Sequence, residues 1–353
     1  MPEKQQKALF LLAKCGDFAV GSTSIPAPGP GELLVKNGAI ALNPVDWKIQ
    51  KYGFAVETFP AIIGLDLAGI VEAVGEGVTG FRKGDRVVAS PTLRPRQGPF
   101  QQYTIAWAKY TAKVPQSVSI EQAASVPAGI ITAAVGLYQA EQAGAGLTAP
   151  WEQGGQDKYN KRPILVFGGA SSVGAYVIQL AKLSGFSPII ATASPRNTAY
   201  LESLGATNVL DRHLDAGALK KEVASITKLP FDVIYDAISK PDTQKLGCEL
   251  LADNGTLILT LPSSLGETTD GKKVKSTLGS PFPPGNEHVG EGLYASLHGY
   301  LDTGAIQPNR VEILPGGLGG IVTGLDRLRE GKVSGVKLVV RPRKPMTTPL
   351  PFG

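Results

Sequence analysis

One stretch constrains the fold of this chain more than any other: residues 164–185, ILVFGGASSVGAYVIQLAKLSG. An apolar run stops at two glycines, passes through small residues, and resumes with apolar residues at helical spacing. The pattern predicts a buried strand at Ile164–Phe167 and a turn made of Gly168, Gly169, Ala170, Ser171, Ser172, Val173 and Gly174. A helix follows, with Val173, Val177, Leu180, Ala181 and Ser184 on one face. A side-chain-poor turn between strand and helix lets backbone N–H groups and the helix dipole meet a pyrophosphate. Gly168 and Gly174 bracket the turn, but Ser171 stands where a middle glycine is usual, bringing both a hydroxyl donor and bulk.

The residues beyond keep alternating. PILVFGG, SPIIATAS, FDVIYDAIS and GTLILTLP read as short strands, with NTAYLESLGA and GALKKEVASITKL as helices between them. That rhythm argues for a parallel sheet with helical crossovers. Ligands of such sheets gather at the carboxyl ends of strands. Ile238 in DAIS and Leu261 in LTLPS are therefore expected to flank a cofactor. An NAD enzyme usually places an acid on the ribose about 20 residues beyond the glycines. Here that offset reaches Ser194, and no acid occurs in 191–200. Ser194, Arg196 and Asn197 instead offer donors and a charge suited to a 2′-phosphate, so the expected cofactor is NADPH.

The first third differs in vocabulary. GELLVKNGAIALNP, DLAGIVEAVGEG and FRKGDRVVAS are short β-branched runs punctuated by Gly and Pro, as in a barrel-like, largely antiparallel unit. Near Ser119 the pattern turns helical, and Pro127 opens a second helix. The polar, Gly-rich stretch 141–162 reads as an exposed loop of unusual length, the kind that is often functional. The last residues, KPMTTPLPFG, read as loosely held.

Composition narrows the partners. The net charge of +5 comes from scattered basic residues, with no tract fit for nucleic acid. Cys15 and Cys248 form neither a disulfide framework nor a C-x-x-C cluster. No apolar window reaches membrane-span length and the N-terminal apolar patch is too short for a signal peptide, so a cytoplasmic protein is expected.

Six motifs in order resemble the medium-chain dehydrogenase/reductase superfamily: NPVDWK (43–48), GLDLAGIVEAVGEGV (64–78), GDRV (84–87), PAGIITA (127–133), GGASSVG and GKVSGVKLVV. The resemblance implies an α/β architecture: a GroES-like, β-rich catalytic domain over 1–126, to which 305–353 returns, and a doubly wound Rossmann cofactor domain over 127–304. It implies a cofactor cleft between them, with Ser334 and Lys337 of VSGVK closing over the cofactor. Zinc-dependent members carry metal ligands where this chain has Asn43, Leu65 and Ala128, and Asp66 alone cannot supply a site. The expectation is a zinc-independent reductase. PAGIITA, the long loop and SPRN look most like fungal trans-acting enoyl reductases of polyketide synthesis.

The implied reaction is hydride transfer to an activated C=C bond of an α,β-unsaturated carbonyl, an enoyl thioester or an enone. The substrate is either free or carried by a synthase. Lys48 is the candidate donor toward the carbonyl oxygen or the nicotinamide ribose, Thr132 the candidate orienting hydroxyl, and Tyr52 a candidate proton donor in competition with solvent. Two other readings stay open: an NADPH-dependent quinone or aldehyde reductase, and a non-catalytic NADPH-binding protein.

Overall fold

The computed structural model describes residues 4–343 apart from 91, 95 and 141; the C-terminal segment expected to be loosely held lies outside the described residues. The chain opens with β1 (Gln5–Leu11), β2 (Phe18–Ser24), β3 (Glu32–Ala41), α1 (Pro44–Tyr52), β4 (Asp66–Val74) and β5 (Arg86–Ala89). It continues through β6 (Tyr103–Trp107), β7 (Thr111–Lys113), α2 (Ile120–Ala124) and α3 (Pro127–Tyr138). A strand–helix series follows: β8 (Ile164–Phe167), α4 (Ser172–Leu183), β9 (Ile189–Ala193), α5 (Thr198–Leu204), β10 (Asn208–Asp211), α6 (Ala216–Ile226) and β11 (Phe231–Asp236). It ends with α7 (Pro241–Leu250), β12 (Leu251–Leu259), β13 (Lys273–Ser276) and α8 (Glu287–Asp302). The chain then returns through β14 (Val311–Leu314), α9 (Gly320–Arg329) and β15 (Lys337–Val340).

Two sheets organise the molecule. Strands from both ends share one of them, in the order β14-β15-β3-β4-β5-β7, with β6 also pairing to β3. Its pairings are antiparallel except β14 with β15. The middle of the chain builds a six-stranded parallel sheet in the order β10-β9-β8-β11-β12-β13. In this order the direction of winding reverses between β8 and β11, which opens a crevice at the carboxyl ends of those two strands.

Local sequence explains the elements that border this crevice. Ser119 starts α2 with a reciprocal capping box: its hydroxyl accepts from the Gln122 N–H at 3.1 Å and its own N–H donates to the Gln122 side chain at 3.0 Å. Pro127 sits in the first turn of α3, where a missing N–H costs nothing. Helix α3 is apolar all round and packs between the two units; of its residues only Thr132 is not buried. One core runs from Ala39, Ala68 and Val88 of the first sheet to Ile164, Val166 and Leu293 of the second unit.

The chain recrosses between the sheets at Asn309. Its amide Nδ2 donates to the Ser125 carbonyl at 3.1 Å and to the Ser172 hydroxyl at 2.8 Å, and its N–H to the Tyr176 hydroxyl at 3.2 Å.

The long loop is exposed over much of its length, as expected, but two aromatics anchor it. Tyr159 stacks on Phe186 with centroids 5.0 Å apart, and Trp151 meets Tyr138 edge-on at 5.1 Å. The Asp157 and Tyr159 N–H groups donate to the carbonyls of Leu183 and Ser184, at the end of α4 away from the glycine turn. Aromatic burial outweighs the polar composition and places the loop about 18 Å along α4 from that turn. No helix among the described residues is long and apolar enough to cross a membrane.

Candidate functional site

The glycine turn lies at the switch point. Gly168 follows β8 with φ of 74°, a left-handed conformation that favours glycine, and a side chain there would strike Ile238 beyond β11. A Cβ on Gly174 would strike the Gly168 carbonyl, while Gly169 packs against Ala191. Part of the glycine requirement is therefore the packing of the turn upon itself. Ser171 is the N-cap of α4, its hydroxyl oxygen accepting from the Gly174 N–H at 3.0 Å. Ser172, Val173 and Gly174, expected in the turn, are thus the first turn of the helix. Ala170, Ser171 and Ser172 remain half-buried at the helix entrance.

Beside the turn, the Gly168 N–H donates to the Thr192 hydroxyl at 3.1 Å, aligning β9 with β8. Ser194 follows β9 half-buried, and Arg196 is exposed in a single 3₁₀ turn. Asn197 is only 4% exposed, and its Nδ2 has no hydrogen-bond partner. Gly335 of VSGVK lies over it, where a Cβ would come within 2.7 Å of Asn197 Oδ1. Arg310, absent from the expected site, stacks its guanidinium 3.9 Å from the Tyr200 ring centroid, and Tyr200 lies one helical turn beyond Arg196. Among the described residues neither Arg196 nor Arg310 forms an ion pair. An orphaned buried amide with two unneutralised arginines fits a ligand carrying an anionic group.

At the other end of the crevice, Ile238 packs on Gly168 and its N–H donates to Asp236 at 2.9 Å. Asp236 also accepts from the Ser239 N–H at 2.7 Å and the Thr243 hydroxyl at 2.6 Å, which fixes the DAIS turn. Burial raises its pKa. Leu261 stands 37% exposed past β12. Thr277, after β13, is buried with an unpartnered hydroxyl and was missed in the sequence, since an isolated threonine in a polar run carries no pattern.

Thr132 is the one half-buried residue of the otherwise buried α3. Its hydroxyl donates to the Ala128 carbonyl at 2.5 Å, leaving the oxygen free to accept. A Cβ on Gly279 would strike that hydroxyl, so Gly279 packs directly against Thr132. Lys48 is half-buried on α1 with its ammonium 5.8 Å from the Trp47 ring centroid, and burial lowers its pKa. Tyr52, expected as a proton donor, is 59% exposed under the Lys51 ammonium at 5.6 Å, so it is open to bulk water.

The positions that correspond to metal ligands in zinc-dependent members hold something else. Asp66 is fully buried and accepts from the Ala128 N–H at 2.6 Å and from Asn43 Nδ2 at 2.8 Å. The Lys337 ammonium sits 2.9 Å from Asp66 and donates to Asn43 Oδ1 at 2.6 Å. Lys337, expected to close over the cofactor, is instead turned inward by this ion pair, while Ser334 remains exposed. Asp46 lies beside the cluster, fully buried, with Oδ2 accepting from the Asn43 N–H at 2.7 Å and Oδ1 unpartnered. Among the described residues no group of three or more His, Cys, Asp or Glu is arranged to hold a metal ion.

Comparison with known proteins agrees with this geometry. The family model described as "Alcohol dehydrogenase GroES-like domain" matches residues 29–116, and that described as "Zinc-binding dehydrogenase" matches 172–263. The chain is 34% identical to a trans-enoyl reductase of Aspergillus sclerotiorum (resD), covering 90% of this chain and 94% of that one. It is 33% identical to a dehydrogenase of Monascus pilosus (mokE), covering 90% and 91%. An alcohol dehydrogenase superfamily protein of Novosphingobium aromaticivorans superposes with a TM-score of 0.79 at 25% identity, over 95% of this chain and 99% of that one. A quinone oxidoreductase of Pseudomonas syringae shares the fold with a TM-score of 0.75 at 23% identity, over 96% and 100%.

Proposed function

Since the chain belongs to the medium-chain dehydrogenase/reductase superfamily, an oxidoreductase family with a GroES-like and a Rossmann-type unit, we propose that it is an NADPH-dependent, zinc-independent enoyl reductase. Its substrate is an α,β-unsaturated thioester or enone, with a synthase-bound acyl chain as the physiological form. The observation that carries this reading is the Asn43–Asp66–Lys337 cluster. It fills with amide and ammonium the place where zinc-dependent relatives carry metal ligands. Without a Lewis acid, polarising a simple ketone is difficult, whereas a conjugated C=C bond needs only a hydrogen-bond donor at its carbonyl oxygen. Near-full-length similarity to proteins called trans-enoyl reductases supports the same choice.

NADPH, when bound, supplies the hydride equivalent that ends on the β-carbon. Gly168 to Gly174 and the N-terminus of α4 would hold its pyrophosphate, and Ser194, Arg196, Asn197 and Arg310 its 2′-phosphate. Ile238, Leu261 and Ser334 would border its ribose and nicotinamide. Lys48 donates to the substrate carbonyl oxygen as negative charge develops, and its lowered pKa strengthens it as an acid. Thr132, with its hydroxyl hydrogen held by Ala128, can only accept a hydrogen bond and so orients an amide N–H2 such as that of the nicotinamide. The α-carbon then takes a proton from water.

The test is NADPH oxidation by chelator-treated protein against an enoyl thioester, an enone, a quinone and an aldehyde, with products weighed by mass spectrometry. Saturated thioester or ketone, formed despite the chelator and poorly with NADH, is the expected result. Turnover confined to the quinone or aldehyde, or abolished by the chelator, refutes the reading.

A further inference from the structure

We infer that Asn43, Asp66 and Lys337 form a positioning device that sets the Lys48 and Thr132 segments relative to one another. Its consequence for turnover rests on the reduction proposed above. Three segments distant in sequence meet on one carboxylate. Asn43 is the N-cap of α1, five residues ahead of Lys48. Ala128, whose N–H reaches Asp66, lies in the first turn of α3, and its carbonyl receives the Thr132 hydroxyl. Lys337 begins β15, three residues after Ser334. The Thr132 hydroxyl is thus linked through the single residue Ala128 to Asp66 Oδ1, and α1 is anchored through Asn43 to Oδ2 of the same carboxylate.

The arrangement has little to recommend it as a source of stability. Burying a carboxylate and an ammonium carries a large desolvation cost, and apolar side chains of similar volume often stabilise as well or better. Its geometry does what apolar packing cannot. Each bond has a direction, and the bidentate grip of Lys337 on Asp66 and Asn43 fixes the start of α1 against the start of α3. An apolar replacement would hold the segments together without fixing their register.

The experiment compares wild type with Lys337→Met, Asp66→Asn, the double variant, and Asn43→Ala. Measurements are thermal midpoint, NADPH affinity by fluorescence, steady-state turnover of an enoyl thioester, and hydrogen exchange over residues 44–52 and 127–138. Each single charge variant leaves a buried group unpaired and loses stability. The double variant recovers the midpoint and keeps NADPH affinity, yet its kcat falls roughly a hundredfold, the cost of about 1 Å of misplacement. Exchange in both segments rises about tenfold while the rest of the protein is unchanged. Lys337→Arg restores turnover in part. Should the double variant not fold, Asn43→Ala keeps the ion pair and must show the same loss of kcat and the same local exchange. A stable double or Asn43 variant with wild-type kcat and wild-type exchange overturns the inference. If wild-type protein reduces no unsaturated carbonyl, the proposed function fails on its own, and exchange in these two segments still decides the device.

Discussion

Replacing Asp46 by Asn should remove a specific pH dependence of stability. Asp46 is wholly buried in the first turn of α1; one oxygen takes the Asn43 N–H at 2.7 Å and the other has no partner. Burial, helped by the negative charge of Asp66 and opposed by the Asn43 hydrogen bond and Lys337, raises its pKa from 3.8 to about 7. Between those values the native state holds a proton that the unfolded chain has lost. The contribution is therefore full at acid pH and disappears as the pH rises through 7. About three pH units at 1.36 kcal/mol each give on the order of 4 kcal/mol. At ~2.1 cal/mol/K of unfolding entropy per residue, that is roughly 5 °C in midpoint for a chain of this length. Thermal unfolding followed by circular dichroism between about pH 4 and pH 8 reads the effect. The midpoint of wild type should fall relative to Asp46→Asn by that amount, with the change complete just above neutrality. Parallel pH profiles for the two proteins would refute the reasoning, because they would mean that Asp46 ionises in the native state as it does in the unfolded chain.

Three further outcomes are expected. Arg196→Gln and Arg310→Gln should each weaken NADPH binding by ten- to a hundredfold, about 1.5–3 kcal/mol per charged hydrogen bond, and leave NADH binding unchanged. Fluorescence titration with both cofactors checks this, and an unchanged NADPH-to-NADH ratio in both variants removes the 2′-phosphate assignment. Gly279→Ala should lower kcat/KM for the enoyl thioester at least tenfold without loss of NADPH affinity, because the new methyl displaces the Thr132 hydroxyl. Tyr52→Phe should leave kcat and its pH profile unchanged, since an exposed phenol has no advantage over water; a loss of even tenfold would reinstate it as the proton donor.

The parts legible in the sequence were those written in local patterns. Alternation of apolar runs and helical spacing placed β8, α4 and β9, and the offset from Gly174 led to Ser194 at the carboxyl end of β9. Pro127 marked the start of α3 because proline's fixed φ suits that position. The boundary of the glycine turn was less legible: Ser171 as N-cap and Ser172 as first helical residue have the same side chain, so composition cannot divide them. The exposure of the 141–162 stretch was legible, but its anchoring was not, because a polar majority masks two aromatics. At Asp66 the resemblance brought Asn43 and Ala128 to one place, but the entry of Lys337 and the bonding among the four were illegible. The partners Asn43, Ala128 and Lys337 come from three remote segments, and a buried ion pair leaves no periodic trace along a chain.

The bonds made by Asn309 bear on how the crevice can breathe. This one amide joins the start of the first crossing between the sheets, at Ser125, to the second crossing and to the opening turn of α4 at Ser172. Two chain passages that might have served as separate hinges are thereby riveted at a single point. Any relative motion that keeps the rivet intact is a rotation about it, with displacement proportional to distance. The neighbourhood of Ser172 moves least, and every other part of the crevice moves in proportion to its distance from it. A gate built this way swings at its edge and holds fast at its post.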